Sequence, residues 1–313
     1  MKILIAGELN VDLVLQNFQA FPGLGREVLV DDVSLTLGSA SAICAAGLAK
    51  LGNEVSFIGK VGCDAWGDLC IESLGRLGVD LTRVLRDPQI KTGITVSITS
   101  AKDRALVTYL GSIAELGADD VEDAWFEGFA HLHISSFFLQ QKLRPGVREL
   151  AKRARRAGLT VSIDPGFDPS EVWGRDLIEA LEEVDVFLPN EVELAAVAGS
   201  DDPVAALRVL ENGRTTTVAK LGAEGCMGLE GGRPLRVPAF AVRAVDTTGA
   251  GDSFNAGFLH AWLRGRLMRD AMAFGAACGA LSTLGMGGTS AQPSEAEVES
   301  FLQAQTVRHT EAS

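Results

Sequence analysis

From Lys2 to Ala6 the chain is a short apolar run that stops at Gly7, the pattern of a strand buried on both faces of a parallel sheet. Comparable runs return at 55–58, 130–135, 159–163, 185–188 and 216–219. Segments of helical spacing separate and follow them: 145–157 is amphipathic, and 252–264, 267–284 and 294–304 close the chain. Such alternation predicts an α/β fold with a mainly parallel central sheet and helices on both faces. Residues 38–52 read as a helix of small residues, suited to close packing against a sheet, and a further helix ends near Leu77 before Gly78. Another rhythm interrupts this order. Val28 and Val30, then Val33, Leu35 and Leu37, alternate with polar residues, and so do 92–99 and 105–110 around the turn Ala101-Lys102-Asp103-Arg104. That period predicts a small antiparallel sheet, whose apolar face needs cover from a cleft or another subunit. Residues 306–313 read as a frayed tail.

Composition narrows the class. The 313 residues are 47% hydrophobic and 22% charged, as in an ordinary globular protein, and the formal net charge of -13 argues against nucleic acid as the main partner. No run approaches the length of a membrane span, and Met1 to Gly7 is too short for a signal peptide. Cys44, Cys63, Cys70, Cys226 and Cys278 are odd in number and scattered, which predicts reduced core thiols in a cytoplasmic protein. His131 and His133 alternate on one strand, either as satisfied strand histidines or as half of a metal site that lacks a third ligand at a telling spacing.

Chemistry concentrates in Val245-Asp246-Thr247-Thr248-Gly249-Ala250-Gly251-Asp252-Ser253-Phe254. A loop without bulky side chains, Thr247 to Gly251, runs into an apolar helix on which Phe254, Phe258 and Trp262 recur every four positions. The first N–H groups of a helix lack partners and carry the positive end of its dipole, so this turn is an anion site made of main chain. A carboxylate at the same place would repel a phosphate that is merely bound. It suits phosphoryl transfer, in which it takes the proton of an attacking hydroxyl. The plainer alternative is a tight strand-to-helix turn with Asp252 as a dipole-compensating acid.

Other polar residues stand at the carboxyl ends of expected strands: Asp12, Asn190 with Glu193, and the turn from Gly222 to Gly225. Together with 246–254, their order resembles the ribokinase-like, or PfkB, family of carbohydrate kinases from Lys2 to about Ser294. The resemblance implies one ribokinase-like α/β domain over residues 1–313, with lid strands from about 12–38 and 90–112 that also form a homodimer contact. It implies ATP and Mg²⁺ as cofactors and a sugar or sugar-like substrate. Asp252 becomes the base, and the N–H groups of Gly249, Ala250 and Gly251 the anion hole. Asn190, Lys220, Gly222, Gly225 and Thr247 fall at the nucleotide, with Cys278 on the helix beside the adenine. Glu193 organises Mg²⁺ through water, and Asp246 lies where many members hold a monovalent cation such as K⁺. Asp12, Gly38, Ser39 and Ile43 fall at the sugar.

Two departures bear on the substrate. The family's Gly-Gly with a later Asn is here Gly38, Ser39 and Ile43, so one polar sugar contact is lost and the pocket turns apolar there. Residues 135–138 also lack an acidic sugar ligand. These changes point away from ribose, toward a substrate without that hydroxyl or a nucleoside. A catalytically idle, metabolite-sensing member is the competing reading. A Rossmann oxidoreductase and a P-loop enzyme fail on glycine spacing.

Overall fold

The computed structural model describes residues 1–16, 18, 20–21, 23–99 and 104–311. Among them the strands are β1 (Lys2–Ala6), β2 (Asn10–Gln16), β3 (Asp32–Leu37), β4 (Glu54–Gly62), β5 (Asp80–Asp87), β6 (Gly93–Thr99), β7 (Arg104–Tyr109), β8 (His131–Ile134), β9 (Thr160–Ile163), β10 (Val186–Phe187), β11 (Thr216–Lys220), β12 (Cys226–Glu230) and β13 (Arg233–Val237). The helices are α1 (Ala40–Lys50), α2 (Ala65–Arg76), α3 (Val147–Arg156), α4 (Arg175–Leu181), α5 (Glu191–Ala198), α6 (Pro203–Val209), α7 (Ala250–Leu263), α8 (Met268–Ser282) and α9 (Glu295–Glu311). The last helix continues past the point where the sequence suggested a frayed tail. The expected turn at 101–103 lies outside the described residues.

The main sheet runs β13-β12-β11-β10-β9-β8-β1-β4-β5, parallel from β11 to β5, with β12 and β13 folded back antiparallel at one edge. Its alternating side chains face two cores. Ile3 and Ile5 pack with Ala42 of α1, Phe258 of α7 and Phe274 of α8, whereas Leu4 and Ala6 pack with Leu150 of α3 and Leu177 of α4. The small residues of α1 serve helix packing as much as the sheet: a Cβ on Gly47 would lie 2.9 Å from Cβ of Ala256 in α7. The two helices that open toward the site are thereby pressed together.

A separate sheet has the order β3-β2-β6-β7, antiparallel except for the parallel pair β2 and β6. Asp12 lies within β2 rather than at the carboxyl end of a strand. Ser34, Thr36, Thr95 and Ser97 line the cavity beneath this lid. Val33, Leu35, Val107 and Tyr109 are 56%, 46%, 58% and 51% exposed, so these four apolar residues lie on the surface.

Four of the cysteines are buried and Cys63 is exposed, so the expectation of core thiols fails at that one position. His131 and His133 are satisfied strand histidines. They share the Ser162 hydroxyl at 2.7 and 2.6 Å, and Thr160 and Ser135 take their other ring nitrogens. Burial pushes both below the usual imidazole range, His133 to about 4, so both are neutral near pH 7.

Candidate active site

The start of α7 carries the chemistry. Gly249 caps it at φ 72°, ψ 6°, and a Cβ there would lie 2.8 Å from Cα of Gly288 and 2.9 Å from Cγ2 of Ile43. Glycine is the residue this approach permits. The Ala250 N–H donates to the Thr247 carbonyl at 3.2 Å, closing the turn. That N–H is therefore already used, in contrast to its expected place in the anion hole. The N–H groups of Gly249 and Gly251 donate to no backbone carbonyl among the described residues. Asp252 follows in the first turn and lines the cavity. Asp246 accepts the Thr248 N–H at 2.9 Å and the Gly287 N–H at 2.8 Å, one on each oxygen. Its carboxylate joins the loop before α7 to the loop after α8.

The cavity, about 500 Å³, lies between the lid and the starts of α1 and α7. Of the residues expected at the sugar, Asp12, Ser39 and Ile43 line it. Gly38 supports Asp12 from behind: a Cβ at Gly38 would come within 2.1 Å of Asp12 Oδ1. Asn10 Nδ2 donates to that same oxygen at 3.0 Å. Ser39 is held at φ 78° and caps α1, its hydroxyl donating to the Glu8 carbonyl at 2.5 Å and accepting the Ala42 N–H at 2.9 Å. Ile43 lays its side chain against Gly249 and Gly288. In place of a polar contact to substrate it gives the anion turn an apolar backing.

Glu8 escaped the sequence reading. It lines the cavity although only 4% exposed, and its carboxylate accepts the hydroxyls of Ser41 at 2.5 Å and Ser136 at 2.8 Å. Burial raises its pKa, and those hydrogen bonds offset only part of the rise. Ser136 sits at φ 52°, a conformation uncommon for serine. An acid directly after a strand was the available signal. Its partners come from 33 and 128 residues further on, which no local pattern reveals.

On the other side of α7, Lys220 ends β11. Its ammonium donates to Asp164 Oδ2 at 2.7 Å and to Asn255 Oδ1 at 3.2 Å, and it lies 3.8 Å from where a Cβ on Gly251 would stand. Asn255 also donates to Asp164 at 2.5 Å. A buried cation is thus fixed directly behind the anion turn. Asn190 and Glu193 cap α5 reciprocally, Asn190 N to Glu193 Oε2 at 2.8 Å and Glu193 N to Asn190 Oδ1 at 2.9 Å. The spacing read as a metal element is therefore also a capping box. Gly222 and Gly225 turn the chain at φ 55° and 96°, and Gly225 is required by backbone, since a Cβ would lie 2.0 Å from the Val237 carbonyl oxygen. Thr247 is exposed beside the turn. Cys278 is 1% exposed, and a Cβ on Gly257 would meet its sulfur at 2.5 Å. Its thiol packs α8 on α7 within the helix expected beside the adenine.

Burial, then the charge of Asp164, raise Glu193 to about 7 against Lys220 and the cap, which lower it. The folded protein therefore holds this proton more tightly than the unfolded chain, whose glutamate titrates near 4.5. Proton uptake on folding makes stability fall as pH rises through that window. Glu193→Gln keeps the cap and should flatten this part of the slope in urea melts across the window. A slope as steep as the wild type's would mean that Glu193 titrates normally.

A glycine turn opening a helix, an acid in that helix's first turn and a cavity beside both are the parts expected of a phosphotransferase site. The pfkB family carbohydrate kinase model matches residues 1–295, and the chain belongs to that family of carbohydrate kinases. It is 27% identical to a ribokinase of Haemophilus influenzae, over 96% of this chain and 97% of that one. It is 31% identical to an ATP-dependent ribose-1-phosphate kinase of Halopiger xanaduensis, over 96% and 98%. A fructokinase of Xylella fastidiosa with bound ATP superposes with a TM-score of 0.84 at 25% identity, over 97% of this chain and 99% of that one.

Proposed function

We propose that this chain transfers the γ-phosphate of ATP to a hydroxyl of a sugar or sugar-like substrate, with Asp252 as the general base. One observation carries the reading: Asp252 and the turn 249–251 occupy a single helix start that opens on the cavity holding Asp12. Asp12, fixed by Asn10 and by the close approach of Gly38, orients acceptor hydroxyls. Asp252 takes the proton of the attacking hydroxyl. The N–H groups of Gly249 and Gly251 and the nearby ammonium of Lys220 stabilise charge on the transferred group.

The residues suit Mg²⁺ that arrives with ATP. Among the described residues no three His, Cys, Asp or Glu side chains converge as a ligand set, and Mg²⁺ bound through phosphates and one or two carboxylates needs none. Glu193, buried beside Lys220 and Asp164, would hold its hydration shell, and the ion would neutralise phosphate charge. Asp246 already accepts an N–H on each oxygen, so its evident part is to join two loops, and K⁺ is not assigned to it. The test is acceptor-dependent ADP release from a panel of sugars and nucleosides. Binding of an acceptor without any ADP would favour the sensing role and overturn this reading.

The apolar outer face of the lid supports a homodimer through Val33, Leu35, Val107 and Tyr109. Light scattering at micromolar concentration should give twice the chain mass, and a monomer there would refute the contact. Five unpaired thiols fit a cytoplasmic location, which cell fractionation would check.

A further inference from the structure

The loop between α8 and α9 is tied to the chain on both sides of the anion turn. Gly287 donates its N–H to Asp246 at 2.8 Å, and Gln292 Nε2 donates to the Ser253 hydroxyl at 3.1 Å. Residues 246 and 253 bracket the stretch 247–252 that holds the turn and Asp252. Between the two ties Gly288 packs against Gly249. Gln292 Nε2 also donates to the Ile43 carbonyl of α1 at 2.8 Å, so both hydrogens of one amide are used. Gly47, four residues on in α1, admits that side chain: a Cβ there would stand 2.9 Å from Gln292 Nε2. Gln292 is 6% exposed and does not itself line the cavity.

Ser253 is a sensitive place to hold. Its N–H closes the first turn of α7 on the Gly249 carbonyl at 2.9 Å, and it is buried, whereas Asp252, the residue before it, lines the cavity. Successive helical residues point about 100° apart, so a rotation of α7 that moved the Ser253 side chain would carry the Asp252 carboxylate with it. We infer, resting on the reading of Asp252 as the base, that Gln292 is a positioning residue for phosphoryl transfer. It fixes the rotation of the first turn of α7 against α1, and through it the reach of Asp252, without touching substrate. A displacement of about 1 Å in a reacting group is enough to cost on the order of 10²-fold in rate.

Gln292→Met keeps the length of the side chain and loses both hydrogen bonds. With the best acceptor of the panel it should lower kcat by roughly 10–100-fold and leave KM for ATP and acceptor within about twofold, because the groups that bind them stay in place. Ser253→Ala cuts only the tie to α7 and should act in the same direction. Combining the two should add little, since they break one bond. In an Asp252→Asn background, either change should cost less than about twofold more, because the base it positions is already gone. A lowered melting temperature with kcat per folded molecule unchanged would overturn the inference, and so would losses that multiply in the Asp252→Asn background. If Gln292→Met does not fold, Ser253→Ala decides by the same comparison. Hydrogen exchange over residues 246–254 gives a reading without turnover. It should quicken by about threefold or more in either variant while β1 and β8 keep wild-type protection, and unchanged exchange there would overturn the inference. If the wild type releases no ADP with any acceptor, the kinase reading is what fails, and exchange alone then decides whether Gln292 holds the turn.

Discussion

Asp252→Asn should lower kcat by roughly 10²–10⁴-fold, the contribution of a positioned general base, while ATP binding and thermal stability stay near wild type. The amide has the same shape and can still stand in the first turn of α7, and the Gly249 cap that shapes the turn is untouched. What it cannot do is accept the proton of the attacking hydroxyl. Because a general base acts in the chemical step, the loss expected of the proposed role falls on kcat and kcat/KM together, with KM little changed. Single-turnover experiments with saturating acceptor would read the step directly. Wild-type turnover on the best acceptor would sink the mechanism. A variant that failed to bind ATP would instead assign Asp252 to the architecture of the turn.

Lys220→Met should destabilise the fold by about 3–5 kcal/mol at neutral pH, the usual cost of stranding one member of a buried ion pair. The side chains of Lys220 and Asp164 are only 13% and 6% exposed. Burial alone would raise Asp164, but the Lys220 charge and the hydrogen bonds to it bring its pKa below 3.8. Burial alone would lower Lys220, but Asp164 and then Glu193 bring it above 10.5. For the depressed acid, stability is present above the unfolded value and lost as pH falls through the folded one. For the raised base, it is present below the unfolded value and lost as pH rises through the folded one. The pair therefore contributes across the whole neutral range. Urea melts of Lys220→Met should show most of the loss at pH 7 and less in acid, where Asp164 becomes protonated. Adding Asp164→Asn should restore much of the stability but little activity, since the cation behind Gly251 stays missing. Unchanged stability of the single variant at pH 7 would refute the pairing.

The fold was readable wherever the chain follows a strong rhythm. The run of Lys2 to Ala6 and the glycine-to-helix transition at 249–252 are local patterns, and local physics suffices for them. β5 and α4 were missed because their signals are weak. Arg83, Arg86 and Asp87 interrupt an edge strand that needs only one apolar face, and α4 has seven residues. In the site, Asp252, Asp12 and Ile43 were visible from spacing and resemblance. Glu8, Asp164 and Asn255 were not, because each becomes meaningful only through partners distant in sequence: Ser136 for Glu8, and Lys220 for the other two. Asn190 and Glu193 show the converse. Their spacing was conspicuous, yet it satisfies a helix end as readily as a metal, and the helix cap is the role the structure shows.

Ile43 joins two requirements that might otherwise vary independently. Its side chain rests on Gly249 and Gly288, while its carbonyl accepts Gln292, whose amide also reaches the Ser253 hydroxyl at 3.1 Å. An asparagine at this position would offer a substrate hydroxyl a partner, but it would also set an amide against the glycine that shapes the anion turn. A substitution at Ile43 is therefore expected to act on the acceptor pocket and on the turn at Gly249 together.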